Sequence, residues 1–216
     1  MTDSFGRNIN YLRVSLTDRC NLRCRYCMPE KGIDKKSHRD ILSLEDIYEI
    51  IQTAVEMGFS KVRLTGGEPL VRKGVIELCR SISGLSGVKD FAMTTNGLLL
   101  PEMARELKAA GLMRLNISLD TLDPDKYHQI TRIGSLDDAL AGIAAAEEAG
   151  FTNIKLNTVL IGGFNDCEIP RLVELTKQKS YQVRFIELMP IGHTYPFDRE
   201  AYLPCLLYTS DAADEA

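Results

Sequence analysis

The sequence lacks a surplus of charge of either sign: 26 lysines and arginines stand against 30 aspartates and glutamates, for a net charge of −4. That balance gives no whole-molecule attraction to nucleic acid or to an anionic membrane, so an anionic substrate must be held by local arginine and lysine. No run approaches the roughly 20 apolar residues that a membrane span needs. The segment from Met1 to Asn10 is polar and lacks the charged start and apolar core of a signal peptide. The expected setting is the cytoplasm, with neither nucleic acid nor membrane as partner.

Six cysteines are present, but no two short hairpins of ligands pair up as in a common structural zinc site. Cys20, Cys24 and Cys27 lie close together, whereas Cys79, Cys167 and Cys205 are isolated. In a reducing compartment clustered cysteines point to metal binding or catalysis rather than to disulfides. The isolated three read as plain buried or surface thiols. A 44% hydrophobic fraction with 26% charged residues argues against global disorder, and the 216 residues suit one sizeable core.

Apolar, β-branched stretches recur at 11–16, 61–65, 88–94, 113–119, 153–161 and 182–188. Helical patterns lie between them at 44–57, 71–82, 101–110, 136–149 and 168–179. Ser43 with Asp46 forms a capping-box pattern ahead of the first helix, and Gly58 ends it. Strand then helix, repeated with short turns, is the pattern of parallel βαβ units. The expected class is α/β, as a partial (β/α)6 barrel of the TIM type. A doubly wound open sheet is the competitor, which periodicity does not separate from it.

Unusual residues gather where these strands end. Cys20–Cys27 follows the first strand and Gly66-Gly67-Glu68-Pro69 the second. Thr94-Thr95-Asn96-Gly97 follows the third, and Ser118 and Asp120 close the fourth. Asn157 lies in the fifth strand, while Glu187 and Met189 end the sixth. The C-terminal strand ends are the face on which such barrels build active sites. Residues 205–216 carry no matching period and resemble a translated sequencing-adaptor read-through. They are expected to be a non-native tail on a core of residues 1–204, with the gene running on; Cys205 fits either part.

Three thiolates in a CxxxCxxC spacing, on a loop leaving a strand, suit three corners of a [4Fe–4S] cluster and leave one iron without a protein ligand. An open coordination position marks a catalytic rather than a structural site. The alternative is zinc, with His38 completing a Cys₃His set in a non-enzymatic binding module. His38 sits among Lys35, Lys36 and Arg39, which also suits a solvated loop. The two glycines at 66 and 67 would let backbone amides and carbonyls approach a ligand closely, or form a plain strand-to-helix turn with Pro69. Glu68 would reach a bound ligand, or simply sit well at a helix N-terminus. Arg13 and Arg63 offer planar forks for phosphate, and Lys155, within an apolar strand, needs a partner or water.

The cysteine spacing with Tyr26 before its last member, followed by Gly66–Pro69, resembles the signature of the radical S-adenosylmethionine (SAM) superfamily. Arg63-Leu-Thr-Gly-Gly-Glu-Pro-Leu, Thr94–Gly97, Asn116-Ile-Ser-Leu-Asp120, Lys155-Leu-Asn157 and Arg184–Pro190 extend the similarity to the GTP 3′,8-cyclase family of molybdenum cofactor biosynthesis. The resemblance runs from about residue 11 to residue 196. It implies that Cys20, Cys24 and Cys27 carry the cluster and that Tyr26, Gly67, Ser118 and Met189 contact SAM. It further implies that Arg13, Arg63, Thr94 and Lys155 contact GTP. In that family a 5′-deoxyadenosyl radical takes hydrogen from C3′ of GTP, and the ribose radical then attacks C8. An electron donor, a homodimer and a downstream cyclic pyranopterin synthase are the implied partners. The family's second [4Fe–4S] cluster needs three further C-terminal cysteines, and no such trio or closing double glycine is present. A polypeptide ending here is expected to cleave SAM without efficient GTP turnover. A peptide-modifying maturase is the other enzymatic reading.

Overall fold

The computed structural model describes residues 2–33, 40–189 and 199–205. Six strands alternate with helices: β1 (Tyr11–Ser15), β2 (Lys61–Thr65), β3 (Asp90–Thr95), β4 (Arg114–Ser118), β5 (Ile154–Leu160) and β6 (Tyr181–Glu187). The sheet order is β1-β2-β3-β4-β5-β6. A doubly wound sheet reverses its winding at a switch point, and this order contains no reversal. Sequential winding with helical crossovers is the order of a barrel wall, so the fold class is the α/β partial (β/α)6 type.

The helices are α1 (Leu44–Glu56), α2 (Val75–Ser83), α3 (Leu100–Ala109), α4 (Pro124–Thr131), α5 (Leu136–Glu148) and α6 (Ile169–Gln178). The capping box of α1 is reciprocal: Asp46 N–H donates to Ser43 Oγ at 3.0 Å, and Ser43 N–H donates to the Asp46 carboxylate at 3.1 Å. Such a cap contributes about 1 kcal/mol. The second helix begins four residues later than the sequence pattern suggests. Gly74 sits at φ 83°, a left-handed conformation that a continuous helix cannot include, so Pro69–Val71 forms a separate 3-10 turn. The short helix α4 escapes apolar periodicity, but Asp123 caps it by accepting from the N–H groups of Asp125 and Lys126.

By its contacts the chain divides into two units. The first comprises residues 1–21, 33–117 and 138–154. Here β1 to β4 pair in parallel, with Arg13 beside Arg63, Arg63 beside Ala92, and Thr94 beside Asn116. Strand alternation gives this sheet two unlike faces. Val62, Leu64, Phe91, Met93, Leu115 and Ile117 are buried on one, while Arg13, Arg63, Thr94 and Asn116 share the other. The second unit comprises residues 22–32, 118–137 and 155–216. Ile130, Ile161, Leu188 and Ala201 form a core there, against which Tyr26, Val159 and Phe164 pack. Among the described residues no helix is long and apolar enough to cross a membrane.

Candidate functional site

In the first unit the segment leaving β2 lies against the segment leaving β1. Gly67 N–H donates to Thr17 C=O at 2.7 Å, and Glu68 N–H donates to Arg19 C=O at 2.8 Å. A Cβ on Gly67 would stand 2.3 Å from the Arg19 carbonyl oxygen. Glycine is therefore required by the chain's own packing just ahead of Cys20. The N–H groups of Gly67 and Glu68 are thus taken up by Thr17 and Arg19 of the chain itself.

The Glu68 side chain caps the 3-10 turn Pro69–Val71, as its place at a helix N-terminus suggests. It is 1% exposed, and its carboxylate accepts from Leu70 N–H at 3.0 Å, Thr95 O–H at 2.7 Å and Asn96 N–H at 2.7 Å. Burial pushes its acidity toward higher pH, against those three donors. Its role is to tie the end of β2 to the end of β3. Asn96 passes the order on: its side-chain amide donates to Asn21 Oδ1 at 2.7 Å and lies 3.8 Å from Cys20 Sγ.

The same unit places Arg13 and Arg63 side by side on adjacent strands and one face. Two like charges in register repel, and a bound anion relieves that repulsion. The Arg63 guanidinium also lies 5.3 Å from the centre of the Tyr11 ring. Thr94 is half-buried on this face, and its register partner Asn116 is wholly buried with neither amide atom hydrogen-bonded. A buried amide in that condition is satisfied in practice by water or a ligand.

In the second unit Cys27 N–H and Met28 N–H both donate to Cys24 C=O, at 2.9 and 3.1 Å, so Cys24–Cys27 is a tight turn. Within it, the Tyr26 hydroxyl donates to Asp120 Oδ2 at 2.6 Å, while Asp120 Oδ1 accepts from Val159 N–H at 2.8 Å. Asp120 is 5% exposed, and burial raises its carboxyl to about 6 despite both donors. Burial, then the Asp120 charge, then Cys24 and Cys27, hold the Tyr26 phenol well above its ordinary value. Tyr26 thus stays a neutral donor. Ser118 ends β4 half-buried, Lys155 and Asn157 share one half-buried face of β5, and Met189 is 59% exposed after β6. Glu187 is taken up by Tyr202 O–H at 2.9 Å and Cys205 N–H at 2.6 Å, partners that the sequence did not suggest.

Cys20 belongs to the first unit, and Cys24 and Cys27 belong to the second. Among the described residues no three His, Cys, Asp or Glu side chains converge on a single metal ion. A cubane offers three separate irons, so its ligands need not converge on one point. Thiolates are the donor set such a cluster takes, and three cysteines fit it in their chemistry. His38 lies outside the described residues.

The family model described as the Radical SAM superfamily matches residues 14–176. The chain belongs to the radical SAM superfamily. Among the relatives of this superfamily member, the GTP 3′,8-cyclase of Peptoclostridium acidaminophilum is 60% identical over 190 residues, covering 88% of this chain and 58% of that protein. The GTP 3′,8-cyclase of Alkaliphilus oremlandii is 53% identical over 203 residues, covering 94% of this chain and 63% of that protein. The radical SAM chain thus spans about three-fifths of the length of these relatives. Among solved structures, Streptococcus suis SuiB bound to S-adenosylmethionine matches with a TM-score of 0.71 at 20% identity, over 88% of this chain and 43% of that one. Methylornithine synthase matches with a TM-score of 0.66 at 18% identity, over 88% of this chain and 57% of that one. These two likenesses show the fold.

Proposed function

We propose that this chain is the radical-generating part of a GTP 3′,8-cyclase. The observation that carries the reading is the 60% identity to the enzyme of that name from Peptoclostridium acidaminophilum over 190 residues. Cys20, Cys24 and Cys27 hold a [4Fe–4S] cluster, an assignment that rests on their spacing and on the thiol donor set. When bound, the cluster would supply the one electron that cleaves the C5′–S bond of SAM, giving methionine and a 5′-deoxyadenosyl radical.

Tyr26, Gly67, Ser118 and Met189 bind SAM, and Arg13, Arg63, Thr94 and Lys155 bind GTP. The Arg13–Arg63 pairing supports the second assignment, because two forked cations on one face match the oxygens of a triphosphate. Asp120 keeps the Tyr26 ring in one orientation, and Glu68 with Asn96 keeps Asn21, the residue after Cys20, in place. The intact protein adds a second cluster and works as a cytoplasmic homodimer with an external reductant, and a cyclic pyranopterin synthase consumes its product.

The test supplies the intact-length, anaerobically reconstituted protein with SAM, a reductant and GTP deuterated at C3′. Deuterium is expected in 5′-deoxyadenosine, and R13A or R63A should lower its transfer by about tenfold or more, the loss of one charge-assisted contact. SAM cleavage with no deuterium transfer from GTP would overturn GTP as the substrate.

A further inference from the structure

Arg132 is the one non-glycine residue at positive φ among the described residues, at φ 67° and ψ −32°. Glycine would relieve that conformation, so contacts of the arginine side chain must offset its cost. Its Nη1 donates to Arg23 C=O at 2.6 Å and to Met28 C=O at 3.1 Å. Those two carbonyls bracket the turn that carries Cys24 and Cys27. One guanidinium nitrogen, with its two hydrogens, therefore closes both ends of the turn onto one point.

The backbone next to Arg132 grips the same loop. Arg23 N–H donates to Thr131 C=O at 3.1 Å, and Arg25 N–H donates to Ile130 C=O at 2.9 Å. Thr131 O–H donates to Tyr127 C=O at 2.7 Å and accepts from Gly134 N–H at 3.1 Å, which fixes the corner itself. Gly134 packs closely under this loop: a Cβ there would meet the side chains of Leu22 at 2.8 Å, Thr131 at 2.9 Å and Tyr127 at 3.0 Å. The corner after α4 is thus a dock for residues 22–28, and Arg132 is its clasp.

We infer that Arg132 is a positioning residue for the iron–sulfur cluster, holding the Cys24–Cys27 turn in its ligating shape through the carbonyls of Arg23 and Met28. The inference rests on the reading of Cys24 and Cys27 as cluster ligands. Partners that orient metal ligands without touching the metal typically change affinity by about 10- to 100-fold when removed.

The test compares the full chain with its R132G and R132K variants. R132G removes the clasp while relieving the backbone, and R132K keeps a cation without the planar fork. In the metal-free protein, iodoacetamide labelling of Cys24 and Cys27 is followed by peptide mass spectrometry, with buried Cys79 reporting global opening. After anaerobic loading with iron(II) and sulfide, iron retention is followed under a chelator. R132G is expected to label several-fold faster than the parent at half-buried Cys24 and to lose iron about tenfold faster or more, with Cys79 unchanged. R132K should fall between, and low-millimolar guanidinium should partly rescue R132G. Labelling and retention equal to the parent, with the parent binding iron, would overturn the clasp alone. Parallel opening at Cys79 would overturn it as well, by making Arg132 a general stability residue. A parent chain that takes up no iron would overturn the cluster reading, and the role of Arg132 with it.

Discussion

Glu68 holds the backbone N–H of Asn96 at 2.7 Å, and the Asn96 side chain in turn donates to Asn21, the residue after Cys20. A carboxylate in the Gly-Gly-Glu-Pro turn thereby orders the start of the cysteine motif through two intermediaries. Replacing it by alanine leaves Leu70 N–H, Thr95 O–H and Asn96 N–H without their acceptor. E68A is expected to cost about 3 kcal/mol or more in urea unfolding, since each buried unsatisfied donor costs about 1–3 kcal/mol. E68Q should cost less. A loss below about 0.5 kcal/mol for E68A would show that water replaces the carboxylate freely.

Asp120 makes stability depend on pH. Its folded-state acidity is raised from 3.8 to about 6, chiefly by burial. The folded chain therefore binds its proton more tightly than the unfolded chain does. The resulting stabilisation is fully present below the unfolded value and is lost as pH rises through about 6. A rise of that size corresponds to roughly 3 kcal/mol. Chemical denaturation between pH 4 and pH 7 should show this decline in the parent chain, and D120N should flatten it.

Gly67 tests whether the turn serves the chain or only a ligand. With a Cβ 2.3 Å from the Arg19 carbonyl oxygen, G67A must displace backbone near Cys20. The metal-free G67A chain is expected to lose about 1–3 kcal/mol, the usual cost of overpacking. Unchanged metal-free stability with weakened SAM binding would instead assign the glycine to the ligand.

The isolated cysteines should separate by reactivity. Burial raises the Cys79 thiol to about 12, whereas Cys167 is exposed with Lys126 Nζ 3.6 Å from its sulfur. Thiolate is the reactive form. Iodoacetamide at mildly alkaline pH should modify Cys167 in the native chain and Cys79 only after unfolding.

The fold was largely legible because its signals are local. The Ser43–Asp46 box and the six β-branched runs are patterns of near neighbours, and each element appears within a few residues of where they place it. The second helix starts late because Gly74 adopts positive φ, which no pattern of apolar spacing reports. The partners of Glu68 lie 27 and 28 positions away in Thr95 and Asn96, so its role as a tie between strand ends could not be read from the turn itself. Arg132 was silent for the same reason: its unusual φ and its carbonyl partners, more than 100 positions distant, exist only in the folded chain. The Arg13–Arg63 pairing follows from strand register, which the sequence left open.

The most direct measurement loads the chain anaerobically with iron and sulfide and counts iron and 5′-deoxyadenosine after reduction with SAM. The account predicts a bound [4Fe–4S] cluster and 5′-deoxyadenosine formation, both lost when Cys20, Cys24 or Cys27 is replaced by serine. Tight zinc binding in place of iron, or SAM cleavage that survives those substitutions, would contradict it.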